Sequence, residues 1–152
     1  MKILVCGGSG FIGSTFIQNF LKNNLESDIS NLDNLSIGSN QENLKNLQNN
    51  SHYKFIHNDI RNQAVVLDLI KNYDIIVNFA AESHVDRSIA NPKPFVETNI
   101  LGTYSLLEAV RKYDKFFVHV STDEVYGDAK DQESFDELSQ INPSNPYSAK
   151  KA

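Results

Sequence analysis

Apolar positions along the chain follow two alternating periods. Short, nearly continuous apolar runs recur at residues 3–6, 28–32, 53–57, 74–79 and 115–120, the second ending at Asp33. Such runs, bounded by Gly, Asn and Asp, read as buried strands. Between them the spacing changes to that of helical stripes. Ile12, Phe16, Ile17, Phe20 and Leu21 form one stripe, and Val66, Leu69, Ile70 and Tyr73 a second. Pro92 and Pro94 open a longer helix, with Ile100, Tyr104, Leu107 and Val110 on one side of it. The stretch 31–50 is rich in Asn but punctuated by Leu, which reads as a loop with a short helix. A loop holding Pro143 and Pro146 leads to a last helix starting near Tyr147.

Strands alternating with helices, each strand apolar on both faces, predict a parallel sheet covered on both sides. The fold class is α/β, a Rossmann-like doubly wound parallel sheet, with residues 1–152 forming one dinucleotide-binding domain. In that arrangement the ligand crevice lies at the carboxyl ends of the strands. The last helix has barely begun at Ala152, and no strand follows the fifth. The pattern therefore predicts a sheet cut short after its fifth strand, with that strand's edge exposed.

Composition narrows the picture only modestly. The 152 residues carry a net charge of −5 and no basic cluster, which argues against a nucleic-acid or membrane-surface partner. The single cysteine, Cys6, excludes an intrachain disulfide and suits a reducing compartment. No apolar run is long enough for a bilayer, and the N-terminal run passes straight into glycines, so the expected location is cytoplasmic. His84 and Asp86 lack further ligands at a credible spacing, so no metal site is predicted.

The first strand is followed by Gly7-Gly8-Ser9-Gly10-Phe11-Ile12-Gly13, entering a helix. Two registers stay open: Gly8, Gly10 and Gly13, or Gly7, Gly10 and Gly13. In either, one glycine permits the turn, Gly10 admits a pyrophosphate to the backbone, and Gly13 lets helix and sheet approach. The free N–H groups of the helix start then face the phosphates. Asp33 follows about 20 residues later at the end of the second strand, the place of an acid that accepts ribose hydroxyls and repels a 2′-phosphate. That favours NAD over NADP; the plainer alternative is a turn residue beside Asn34.

Tyr147 and Lys151 have the i, i+4 spacing that puts both on one helical face, where an ammonium would lower the phenol pKa. Ser121-Thr122-Asp123-Glu124 ends the fifth strand, and its hydroxyls can bond a substrate. Two adjacent carboxylates are costly cargo for a crevice. A solvated acidic loop is the alternative.

These stretches, together with 58–61, 80–89, 97–103 and 147–152, resemble the extended short-chain dehydrogenase/reductases, and within them the dTDP-glucose 4,6-dehydratases. The resemblance spans essentially the whole chain. Its most specific parts are the run from Ala80 to Ile89 and the Thr122-Asp123-Glu124 triplet. It implies oxidation of the sugar at C4 by NAD, with Tyr147 as base and Lys151 tuning it. Glu124 then removes the C5 proton, Asp123 protonates the departing C6 hydroxyl, and hydride returns to C6. Thr122 and Ser83 would touch the sugar.

By the same resemblance the cofactor is held by Gly7, Gly10, Phe11, Ile12, Gly13, Asp33, Asn34, Leu35 and Ser36, by Asp59 and Ile60 about the adenine, and by Phe79, Ala80, Ala81, Glu82, Ser83, Thr98, Tyr147 and Lys151. The resemblance also implies a homodimer through the helix after the fourth strand and the Tyr147 helix. It further implies a sugar-nucleotide lobe beyond this sequence. A related UDP-glucose 4,6-dehydratase and an NAD-binding fragment without turnover are the competing readings. Cys6 and Ser9 depart from the family's usual threonine and alanine, and both are compact.

Overall fold

The computed structural model describes residues 1–83, 85–129 and 134–152, with 85–87 described by backbone alone. Five strands, β1 (Lys2–Cys6), β2 (Asp28–Asp33), β3 (Tyr53–His57), β4 (Ile75–Asn78) and β5 (Phe116–His119), form one parallel sheet in the order β3-β2-β1-β4-β5. The chain reverses its direction of travel across the sheet between β1 and β4, which opens the crevice there.

The central strand β1 shows why the sheet is covered on both sides. Leu4 and Cys6 join Val66, Ile70, Leu106 and Ala109 in one cluster. Ile3 and Val5 join Ile17, Leu21, Leu44 and Val77 in the other. Alternate side chains thus feed two cores, which is why Ile3 to Cys6 are all apolar and only Lys2, at the exposed start of the strand, is polar. Helices α1 (Phe11–Asn23) and α2 (Gln63–Ile70) supply the covering residues, with Ile17 and Leu21, and Val66 and Ile70, buried. The Asn-rich connection holds a short 3₁₀ helix, Gln41–Leu47, anchored by buried Leu44 and Leu47.

Three expectations are corrected. Ile12 is not on the buried stripe of α1 but 61% exposed, at the mouth of the crevice. Strand β5 is not covered on both faces: Phe117 packs on the core, while Phe116 and Val118 are exposed. It sits at the sheet's edge, where one face has no helix among the described residues.

The third correction concerns the long helix. After a short α3 (Val85–Ala90), α4 (Lys93–Phe95) passes through a π-helical stretch, Val96–Gly102, into α5 (Thr103–Tyr113). Its buried side is Phe95, Asn99, Gly102, Ser105, Leu106 and Ala109. Of the apolar stripe, Ile100, Tyr104 and Leu107 face outward, while Val110 packs against the core. The helix approaches closely at Gly102, where a Cβ would lie 2.6 Å from Ile60 Cδ1, and small or polar Asn99 and Ser105 share this side with Phe95 and Leu106. A stripe search finds the apolar side of a helix, and here the more apolar side is not the one that faces the core.

The last helix, α6 (Pro146–Ala149), starts where expected. Asn145 caps it, accepting from Ser148 N at 2.9 Å, with Pro146 in the first turn.

Candidate functional site

The carboxyl ends of the strands converge on a cleft of about 380 Å³ running from the glycine turn to Tyr147 and Lys151. Gly7, Gly10 and Gly13 line it, and Gly8 does not, which settles the register of the turn. Gly7 has φ +76°, and a Cβ there would lie 2.5 Å from Ala80 N. Gly13 lacks a side chain because the backbone of Gly7 and Gly8 passes over it. Gly10 differs from both. A Cβ there would meet only Gly7 O at 3.4 Å, so the protein's own packing does not require glycine. The bare backbone at Gly10 leaves room for something in the cleft. Gly10 also caps α1 without a side-chain hydrogen bond, so the first N–H groups of α1 remain available.

Asp33 lies at the end of β2, 4% exposed. Its Oδ2 accepts from Ser9 N at 2.9 Å and its Oδ1 from Leu35 N at 2.8 Å. The carboxylate is thereby fixed against the glycine turn. Asn34 Nδ2 donates to Asp59 Oδ2 at 2.8 Å, and Arg61 forks onto both oxygens of Asp59 at 3.0 and 2.8 Å. Burial works to raise the Asp59 pKa, but the bonds from Arg61 and Asn34 outweigh it and hold the carboxyl below its usual range. Arg61 also reaches Glu97 at 3.1 Å, tying this end of the cleft to the π-helical stretch that carries Thr98. The cleft wall here holds two carboxylates, Asp33 and Asp59, and among the described residues the one lining cation is Lys151, from the other end of the chain. A 2′-phosphate would be repelled where a ribose diol would be bonded.

At the other end Tyr147, Lys151, Val120 and Ser121 line the cleft. Lys151 is 8% exposed, and its Nζ donates to Val120 O at 3.0 Å. Ser121 Oγ donates to Lys151 O at 2.8 Å. Helix α6 ends before Lys151, whose N–H bonds Ser148 O in a tighter turn. The expected tuning of Tyr147 by Lys151 is corrected on this point. The Tyr147 phenol is pushed up, first by burial, then by Glu124 and Asp123, with a hydrogen-bonding contact to Thr122 pulling the other way. Desolvation outweighs any pull from Lys151, whose ammonium turns to a backbone carbonyl. His119 is held below its usual pKa by burial and by Lys151, and its Nδ1 lies 3.2 Å from Asn78 Nδ2.

Burial alone brings the Lys151 pKa down from 10.5 to about 8. The unfolded chain therefore binds more protons between about pH 8 and 10.5, and stability rises with pH across that window. Below pH 8 the full cost of a buried ammonium is present. Lys151→Met is expected to abolish this rise, on the order of 3 kcal/mol. Urea denaturation of both proteins at the two ends of the window checks it; equal pH dependence would refute it.

Thr122, Asp123 and Glu124 lie beyond the cleft's rim but close enough to Tyr147 to act on its titration. Thr122 Oγ1 donates to Asp123 Oδ1 at 3.2 Å and accepts from Glu124 N at 3.3 Å. A 3₁₀ turn, Asp123–Tyr126, thus presents the acid pair on a capped backbone. Phe11, Ile12, Asn34, Ser36, Ile60, Phe79, Ala80, Ala81, Ser83 and Thr98 all line the cleft. Leu35 and Glu82 do not, and both take part through backbone: Leu35 N holds Asp33, and Asn99 clamps Glu82 N and O at 2.9 Å each. His84 and the side chain of Asp86 lie outside the described residues.

A model of the GDP-mannose 4,6 dehydratase family matches residues 4–152. The chain belongs to this family. Among curated relatives, a dTDP-glucose 4,6-dehydratase of Escherichia coli is 44% identical over all of this chain and 48% of its own length. The low-salt glycan biosynthesis protein Agl12 of Haloferax volcanii is 46% identical over all of this chain and 49% of its own. Of solved structures, DesIV, a dTDP-glucose 4,6-dehydratase of Streptomyces venezuelae with NAD and TYD bound, superposes with a TM-score of 0.93 at 42% identity. It covers 99% of this chain and 48% of that one. The chain spans about half the length of the curated relatives it matches.

Within this family member, the cleft includes residues that pattern reading missed: Leu32, Ile37, Gly38, Ser39, Asn58 and Val120. Asn58 and Val120 each directly follow a strand, which was a usable signal. Gly38, at φ +96° with open space around it, was visible only as an isolated loop glycine.

Proposed function

We propose that this chain forms the cofactor-binding and proton-transfer site of an NAD-dependent dTDP-glucose 4,6-dehydratase. The observation that carries this reading is one continuous surface. The cleft runs from the open backbone at Gly10, past two ribose-side carboxylates, to Tyr147 and Lys151, with Asp123 and Glu124 just beyond.

Gly7, Gly10 and Gly13 and the start of α1 would receive the pyrophosphate, Asp33 a ribose, and Asp59 and Ile60 the adenine. Bound NAD would supply the hydride acceptor for C4 and, later, the hydride donor for C6. Thr122 orients the C4 oxygen, and Tyr147 Oη takes its proton as the C4–H bond breaks. The ketone at C4 acidifies the neighbouring C5–H, whose proton passes to Glu124. Asp123 delivers a proton to the C6 hydroxyl, which leaves as water. As hydride returns to C6, Glu124 gives its proton back to C5, so one water is lost and no net oxidation remains. The raised phenol of Tyr147 places its ionisation under the control of what binds beside it, since burial and the two carboxylates both oppose phenolate in the free protein.

The outward stripe of Ile100, Tyr104 and Leu107 supports a homodimer through this helix. A lone buried cysteine supports a cytoplasmic protein, and among the described residues no helix is long and apolar enough to cross a membrane.

The test is turnover of dTDP-glucose with added NAD, read as the 4-keto-6-deoxy product. It is run with this chain alone and with the chain joined to the C-terminal half of a relative. The reading expects product from at least the joined form and weaker turnover of UDP-glucose. NAD-dependent thermal stabilisation without product in either form would reduce the function to cofactor binding. No NAD binding by calorimetry would overturn it altogether.

A further inference from the structure

Asn145 is unaccounted for by the roles above, and it touches both halves of the proton-transfer site. Its Oδ1 accepts from Ser148 N at 2.9 Å and caps the helix that carries Tyr147. Its Nδ2 donates to Glu124 Oε2 at 3.0 Å, across 21 positions of sequence. The helix is fixed reciprocally, because Asn145 N donates to Ser148 Oγ at 3.4 Å and Ser148 Oγ to Asn145 O at 3.2 Å. One carboxamide therefore spans from the acid pair on the 3₁₀ turn to the first turn of α6. A capping role alone would use only its oxygen, and serine or aspartate would serve as well. Only a side chain with both an acceptor and a donor can hold the two elements together.

The consequence for Glu124 is directional. Oε2 is occupied by the amide donor, while Oε1 has no hydrogen-bond partner among the described residues. A carboxylate held by one oxygen presents the other. The amide bond is charge-assisted while Glu124 is ionised and weakens once it is protonated.

We propose that Asn145 is a positioning residue for the elimination step: it holds Glu124 by Oε2, leaves Oε1 to face the sugar, and locks the carboxylate to the helix bearing Tyr147. This rests on the dehydratase reading for its chemistry. The Asn145–Glu124 coupling itself does not depend on turnover.

Two variants separate positioning from capping. Asn145→Ser keeps a good cap and is too short to reach Glu124. Asn145→Asp keeps the cap and sets a carboxylate against Glu124. Tyr147, which lies within electrostatic reach of Glu124 and Asp123, is retained in both variants. The first readout is the Asn145 side-chain amide signal in a ¹⁵N-labelled protein, followed through the acid range. A pH-dependent shift that disappears in Glu124→Gln is expected. An amide signal that titrates identically in Glu124→Gln, or not at all in the parent, overturns the proposal whether or not the protein turns over substrate.

The second readout applies to the form that turns over. For Asn145→Asp, kcat is expected to fall by about tenfold or more with KM for the sugar nucleotide little changed. The acid limb of its pH profile should move to higher pH. Asn145→Ser should show a smaller loss, and both should keep the parent's melting temperature within a few degrees. Unchanged kcat and pH profile in Asn145→Asp would also overturn the assignment. A complete lack of turnover with an intact amide titration would instead count against the dehydratase reading and leave the coupling standing.

Discussion

Replacing Gly7 by alanine is expected to destabilise the chain by about 2–4 kcal/mol and to abolish measurable NAD binding. The backbone at Gly7 has φ +76°, a conformation costly for any residue with a Cβ. The added methyl would also lie 2.5 Å from Ala80 N, 2.6 Å from Ala80 Cα and 2.8 Å from Phe79 C. These are backbone atoms at the end of β4, held by the bond from Phe79 N to Cys6 O at 2.8 Å, so they cannot swing aside. At this chain length such a loss lowers the melting temperature by roughly 5–15 °C. Gly10→Ala is the control. Its methyl meets only Gly7 O at 3.4 Å, and its φ of −73° suits alanine. Stability should change by less than about 1 kcal/mol while NAD affinity falls at least tenfold. Denaturation and calorimetry on the two variants check the pair. If Gly10→Ala bound NAD normally, the open space above Gly10 would not be the pyrophosphate's.

Replacing Glu124 by glutamine is expected to lower turnover of dTDP-glucose by about 10²–10⁴-fold. The substitution preserves size and leaves the Thr122 to Glu124 backbone bond in place, so folding and NAD binding should persist. What it removes is the carboxylate proposed to accept the C5 proton. Asp123→Asn should cost a similar factor for the opposite reason, since an amide cannot deliver a proton to the leaving hydroxyl. The two losses should not add, because either variant already blocks the same elimination. A C4-oxidised, undehydrated sugar nucleotide accumulating in either variant would identify the step. Full activity in Glu124→Gln would remove Glu124 from the mechanism and return the acid pair to an ordinary solvated loop. One further effect can be read in the binary state. Glu124 and Asp123 both push the Tyr147 phenol up, so removing either charge should bring its ionisation to lower pH in an ultraviolet titration.

Much of this protein was legible in its order of residues. Consecutive apolar runs at 3–6 and 74–79 placed β1 and β4, because a strand buried on both faces admits no polar alternation. The run of glycines from Gly7 to Gly13, with Asp33 at the next strand end, located the turn in either register, because a strand, a glycine turn and a helix follow one another there. The adjacent carboxylates Asp123 and Glu124 at a strand end left proton chemistry and a solvated acidic loop both open.

Tertiary structure alone decided the rest. Which of two glycine registers lines the cleft depended on how closely β4 passes Gly7, a contact between segments more than 70 positions apart. Which side of the long helix is buried was decided by packing: Gly102 meets Ile60, Phe95 and Leu106 face inward, and Ile100, Tyr104 and Leu107 face out. Whether Lys151 lowers the Tyr147 pKa depended on where its ammonium turns, and burial decided that against the sequence spacing. Asn145 could be read from sequence as a helix cap beside Pro146. Its hold on Glu124 could not, because a hydrogen bond between two loops is set by the packing that brings them together. Local backbone preference and solvent exclusion act on a few neighbouring residues, so sequence reveals them; distances between remote side chains exist only once the sheet has formed.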